Sequence, residues 1–155
     1  MTDTHQNLSI GSDEPRPSSD SQLVELLVAY QFLQAQNGRV ASRLSTELGI
    51  GLTDLRVLLY VGQNPNATPK DVALKVEQTS GSVTALLDRL EHSGNILRRP
   101  HSTDRRRLTL QLTASGATIV DSIMGAYKNA FSGVFTTNEI GRAVEILRAL
   151  GQALA

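Results

Sequence analysis

A mainly α fold carrying one small β-hairpin is what this 155-residue sequence predicts. Three observations carry it. Apolar residues recur at helical spacing over most of the chain from Gln22 onward. Helix starts are written at Thr68-Pro69-Lys70-Asp71 and at Thr136-Thr137-Asn138-Glu139, where a capping hydroxyl precedes a proline, an acid or both, and at Thr113, which offers the capping hydroxyl alone. One stretch, Arg107–Leu112, alternates strictly. Leu108, Leu110 and Leu112 share one face, and Arg107, Thr109 and Gln111 the other, the period of a half-buried strand.

The elements follow in order. Met1–Ser21 is rich in Ser, Asp, Pro and Gly, has too little apolar surface to order itself, and is predicted as a disordered tail. Residues 22–155 are predicted as one domain. Leu23, Leu26, Leu27, Tyr30 and Leu33 form a stripe that resumes at Val40, Leu44 and Leu48. This predicts a first helix over about 22–48, roughly 40 Å long, with Asn37-Gly38 as the place for a bend. Gly49 and Gly51 end it. Thr53 is the expected cap of a second helix, which Asn64-Pro65-Asn66 stops. A third, short helix covers Pro69–Val76. Thr79 or Ser80 caps a fourth that reaches about His92, with Val83, Leu86, Leu87 and Leu90 as its buried face and Gly94 as its left-handed end. Asn95–Arg99 supplies the strand that pairs with Arg107–Leu112, and Pro100 to Asp104 is turn material. A fifth helix turns Ile119, Val120, Ile123, Met124, Tyr127 and Phe131 to one side. A sixth does the same with Ile140, Val144, Leu147 and Leu150.

Composition narrows the function. Fifteen Lys and Arg cancel fifteen Asp and Glu, so affinity for a polyanion has to come from a local patch. The hairpin supplies one: Arg98, Arg99, Arg105, Arg106 and Arg107 stand against the single acid Asp104. The absence of Cys excludes thiol catalysis, thiolate metal sites and disulfides. No metal ligand set or cofactor is expected, since the three histidines are scattered. No apolar run approaches the ~20 residues that span a bilayer, and the N-terminus is polar, so a cytoplasmic protein without membrane contact is expected. There is no Gly-rich phosphate loop, no His-Glu-x-x-His and no nucleophile elbow, and no enzymatic activity is expected.

Two short helices joined by a tight turn and followed by a hairpin make a winged helix-turn-helix, here over about residues 52–112. Within it stand Leu52-Thr53, Thr68-Pro69-Lys70-Asp71-Val72-Ala73, Val83-Thr84-Ala85-Leu86-Leu87-Asp88-Arg89-Leu90-Glu91, Gly94, Asp104-Arg105-Arg106, and Leu112-Thr113 with Gly116. In that order and spacing, from about residue 52 to 116, they resemble the MarR family of bacterial transcription regulators. The resemblance implies a homodimer in which helices over about 22–48 and 113–154 interleave with those of a second chain. The apolar stripes of these helices lack an obvious partner within the winged unit, which agrees. It also implies double-stranded DNA as partner, a pseudo-palindromic operator, and a repressor answering to a small lipophilic or aromatic-acid effector.

By the same resemblance the fourth helix reads the major groove through Ser80, Ser82, Thr84, Ala85 and Arg89. Ser and Thr hydroxyls suit base edges and phosphates. They equally serve to cap and solvate a helix, and Arg89 has Asp88 and Asp104 as alternative local partners. Ala85 stands where relatives carry a longer side chain and can offer a methyl contact but no hydrogen bond. Arg106 matches the arginine that enters the minor groove, and Asp104 the acid that orients it. Arg105 and Arg107 are phosphate contacts or a solvated charge run. Two other readings stand beside a sequence-specific regulator: a protein-interaction module that uses the cationic hairpin, and a weakly specific architectural DNA binder.

Overall fold

The computed structural model describes residues 18–100 and 107–154. The chain divides into two units, Met1–Val40 and Ala41–Ala155. What is described of the first is the N-terminal part of α1, Ser19–Leu48, a helix of 30 residues that begins ahead of the expected Gln22 and runs through Asn37-Gly38. Ser19 to Ser21, assigned to the tail by composition, form its first turn. Residues 1–17 of the tail lie outside the described residues. Leu44 is the buried residue of α1; Leu23, Leu26, Leu27, Phe32 and Leu33 are exposed.

The second unit holds α2 (Leu52–Gln63), α3 (Pro69–Val76), α4 (Ser80–His92), β1 (Ile96–Pro100), β2 (Leu108–Leu112), α5 (Ala114–Phe131) and α6 (Thr137–Ala153). Helix α2 starts at Leu52 with Gly51 as its N-cap and no side-chain cap bond, so Thr53 lies inside the helix rather than capping it. Helix α3 has the expected bounds. Thr68 and Asp71 form a reciprocal capping box in which the Thr68 amide donates to Asp71 Oδ2 at 2.9 Å and the Asp71 amide donates to Thr68 Oγ1 at 3.3 Å. Its end is less ordinary. Glu77 closes the helix in the left-handed region at φ 53°, a conformation that disfavours a residue with a Cβ. Thr79 caps α4, and Gly94 turns the chain away at φ 71°.

One core joins α2, α3, α4 and the two strands. Val57, Leu58 and Val61 of α2, Val72 of α3, Val83, Leu86, Leu87 and Leu90 of α4, Ile96 of β1 and Leu110 of β2 are all buried. Each such side chain contributes roughly 1.5–3 kcal/mol by leaving water. The strands pair antiparallel in a register that sets Ile96 against Leu112, Arg98 against Leu110 and Pro100 against Leu108. Pro100 therefore ends β1 instead of starting the turn. The alternation of β2 holds at Leu110 but not at Leu108, which is exposed while Thr109 is buried. Leu108 sits at the far end of the ladder opposite Pro100, away from Leu110 and the core. The Thr109 hydroxyl is satisfied by donating to the Arg99 carbonyl at 3.2 Å.

Helix α5 begins on the hairpin. Thr113 caps it, accepting from the Gly116 amide at 3.1 Å and donating its hydroxyl to the Gly94 carbonyl at 2.6 Å. Gly116 has no room for a side chain: a Cβ there would lie 2.1 Å from the Asn95 carbonyl oxygen. Ile123 is buried, whereas Met124 and Phe131 are exposed. Helix α6 carries its expected capping box at Thr136 and Glu139 and buries none of its residues.

Candidate nucleic-acid interface

The face of α4 opposite its apolar stripe holds Ser80, Ser82, Thr84 and Ala85, all exposed. The stripe Val83, Leu86, Leu87 and Leu90 is buried and sets which way that face points. The hydroxyls are already partly committed. Ser82 Oγ lies 3.0 Å from Thr79 Oγ1 at the cap. Thr84 Oγ1 donates to the Ser80 carbonyl at 2.9 Å, which leaves its oxygen lone pairs to accept from a base amino group or a water. The first turn of α4 contains no acid, so the positive end of the helix dipole is not neutralised there.

Arg89 does not join this set. Its Nε donates to Asp54 Oδ2 at 3.1 Å and its Nη2 to Asp54 Oδ1 at 2.5 Å, a two-pronged pair across to α2. The Asp54 side chain is 9% exposed and that of Arg89 59%. The Asp54 carboxylate, through its hydrogen bonds first and its charge second, raises the Arg89 guanidinium above its ordinary value. The partner shown among the described residues is thus not Asp88 but an acid more than thirty positions upstream, which local spacing cannot reveal; Asp104 lies outside the described residues.

The other flank of α4 is tied in the same manner. Arg98 of β1 donates from Nη2 to Asp88 Oδ1 at 2.6 Å and from Nη1 to Glu91 Oε2 at 2.5 Å. Its backbone amide reaches Glu91 Oε1 at 3.3 Å. Arg98 is therefore a structural residue of the hairpin base, while Arg99 is exposed. Sequence reasoning placed both at the wing without separating these roles, because the acids that distinguish them come from another element.

The hairpin is fixed to the helix-turn-helix by a further bond, from the Leu110 amide to the Ala67 carbonyl at 2.8 Å. Of its expected DNA-facing cations, Arg107 is described and exposed. It lies near enough to Asp71 to help lower that carboxyl, an effect smaller than the hydrogen bonds from Thr68. Asp104, Arg105 and Arg106 lie outside the described residues. Among the described residues no cluster of His, Asp or Glu is arranged to hold a metal, and no helix is long and apolar enough to cross a membrane.

Comparison with known proteins agrees with this geometry. Residues 48–107 match the family model described as MarR family. The repressor YetL of Bacillus subtilis, an HTH-type protein, is 26% identical over 87 residues, which are 56% of this chain and 52% of that one. YcgE of the same organism, an uncharacterised HTH-type transcriptional regulator, is 39% identical over 75 residues, covering 48% and 49%. The chain spans about half the length of these relatives. Among solved structures, a mutant of MepR from S. aureus bound to an oligodeoxyribonucleotide superimposes with a TM-score of 0.56 at 21% identity, covering 84% of this chain and 98% of that one. The winged unit, its matched residues and its solved counterparts agree: over residues 48–107 the chain is similar to the MarR family, and its fold is the winged helix of those structures.

Proposed function

We propose that this chain is a homodimeric, sequence-selective DNA-binding transcription regulator, a repressor that releases its operator on binding a small lipophilic or aromatic-acid effector. It acts in the cytoplasm and catalyses no reaction. The observation that carries the reading is the exposed Ser80, Ser82, Thr84 and Ala85 face on a helix whose N-terminal turn holds no acid. Such a face offers hydroxyls to base edges and an unneutralised dipole to phosphate. Arg105, Arg106 and Arg107 add cations from the wing, with Asp104 orienting Arg106. The relatives named as repressor and as DNA-bound support the same reading. Exposed apolar side chains on α1, α5 and α6, Leu26, Leu33, Phe131 and Leu147 among them, support a second copy as the dimer partner.

Band-shift with the protein's own upstream DNA against random duplex, at near-physiological salt, tests the reading. Selective retention is expected. Equal retention of both duplexes replaces it with an architectural binder, and no retention with a protein-interaction module. Within the same assay, Arg106→Ala weakens binding to both duplexes and flattens the salt dependence by about one charge. Thr84→Val costs roughly 1–3 kcal/mol on the operator alone.

A further inference from the structure

The segment Asp88-Arg89-Leu90-Glu91 spends every side chain inside the chain. Leu90 is buried, Arg89 grips Asp54 of α2, and Asp88 and Glu91 both receive Arg98 of β1. Neighbouring helical residues project about 100° apart. The two sets of ion pairs therefore leave α4 in different directions, one towards α2 and one towards the hairpin. A helix seated only by an apolar stripe can roll on that stripe. Surface atoms of a helix lie about 5–6 Å from its axis, so a roll of about 10° moves a side-chain tip by about 1 Å. That is enough to turn a 2.9 Å hydrogen bond into none.

We propose that Asp54 is a positioning residue for DNA readout: through the Arg89 fork, and opposed by Arg98 on the other flank, it holds the roll of α4 so that Ser82 and Thr84 meet base edges. The proposal rests on the reading of α4 as the DNA-reading helix. In it Arg89 has a different task from the DNA contact that the resemblance implies. Asp54 suits the role because its carboxylate is almost enclosed and stands in the first turn of α2, where a helix favours an anion. Arg suits it because two parallel donors fix an angle, which a lysine cannot.

The test measures affinity for operator and random duplex over a range of salt, with Asp54→Asn, Arg89→Gln and the double variant, each first checked for its melting transition. The expected result is a fall of roughly tenfold in the operator-to-random ratio, the scale of one lost base contact. Random-duplex affinity and the salt slope stay at the wild-type values, and the double variant is no worse than either single one, since all three break one interaction. A purely structural role would lower the melting temperature and leave the ratio alone, which overturns the proposal. So does a salt slope reduced by about one charge in Arg89→Gln but not in Asp54→Asn, which makes Arg89 a phosphate contact. Where Arg89→Gln fails to fold because Asp54 is left enclosed and unpaired, the double variant, neutral at both ends, decides. Where the wild type itself does not discriminate between duplexes, the functional reading has failed and amide exchange in the free protein judges the clamp. Faster exchange along α4 in Asp54→Asn supports it, and unchanged exchange overturns it.

Discussion

The winged unit and the terminal helices solve the same problem differently. In the winged unit the apolar stripes of α2 and α4 find their cover in the same chain: Leu58, Leu87, Ile96 and Leu110 are fully buried, and Asp88, Arg89 and Glu91 of α4 are paired. Helices α5 and α6 are as amphipathic and as well capped, yet α6 buries nothing, and on α1 Leu23, Leu26, Leu27 and Leu33 are exposed. Capping and periodicity therefore state that a segment is helical, and burial states whether its chain suffices. A stripe that one copy leaves open is what a symmetric partner closes.

The largest test of that contrast is removal of Thr136–Ala155. If α6 belongs to the dimer interface, sedimentation should report a monomer and DNA binding should vanish with the dimer. A truncated chain that still pairs and binds would move the interface elsewhere.

Single cavities should separate the regions next. Leu58→Ala empties a site with no exposure and should cost about 2–5 kcal/mol in chemical denaturation, equally at every protein concentration. Leu147→Ala, on an exposed stripe of α6, should leave the unfolding of an isolated chain nearly unchanged. Its effect should instead appear as a weaker dimer and a melting temperature that depends more steeply on concentration. Equal, concentration-independent losses at both positions would mean that α6 packs within its own chain.

Gly116→Ala probes the joint between hairpin and α5. The new Cβ would fall 2.1 Å from the Asn95 carbonyl oxygen, which is backbone and cannot swing aside. A loss of about 1–3 kcal/mol is expected, the range for overpacking. The same change at Gly125, where a Cβ meets nothing within 4 Å, should be neutral or slightly stabilising because Ala favours helix.

These positions also show what the amino-acid pattern made legible. The bounds of α3, the buried face of α4 and the caps at Thr113 and Thr136 are local chemistry, and spacing alone located them, while for α4 it left Thr79 and Ser80 open and the structure selects Thr79. The exposed Ser80, Ser82, Thr84 and Ala85 follow from the same periodicity. The Asp54–Arg89 pair joins elements distant in sequence, the Arg98–Glu91 pair depends on how β1 folds back along α4, and the burial of Thr109 in place of Leu108 depends on where the hairpin outruns the core. Local helix and strand periodicity does not contain that information. Gly51 capping α2 instead of Thr53 is a smaller miss of the same kind, a choice between adjacent caps.

The smallest effect compares two instances of one device. Asp71 in the winged unit and Glu139 on α6 each accept from the amide and hydroxyl of a capping threonine, and both carboxyls lie below their ordinary values. For Asp71 the Thr68 hydroxyl contributes most, and the charges of Arg107 and Lys70 add to it; for Glu139 the Thr136 amide contributes most and no cation assists. A carboxyl lowered on folding stabilises the fold above its unfolded value, about 3.9 for Asp, and that stability is lost as pH falls through the folded value. Asp71→Asn should therefore weaken the fold by about 0.5–1 kcal/mol at pH 7, at the low end for a helix cap. The difference from wild type should shrink below about pH 4 as the native carboxyl protonates. NMR titration of both carboxyls in Arg107→Ala sharpens the comparison. Asp71 should move up towards its ordinary value, more at low salt than at high, and Glu139 should not move. An unshifted Asp71 would place the Arg107 charge too far from α3 to act on it, and would separate the wing's cations from the helix-turn-helix they are proposed to serve.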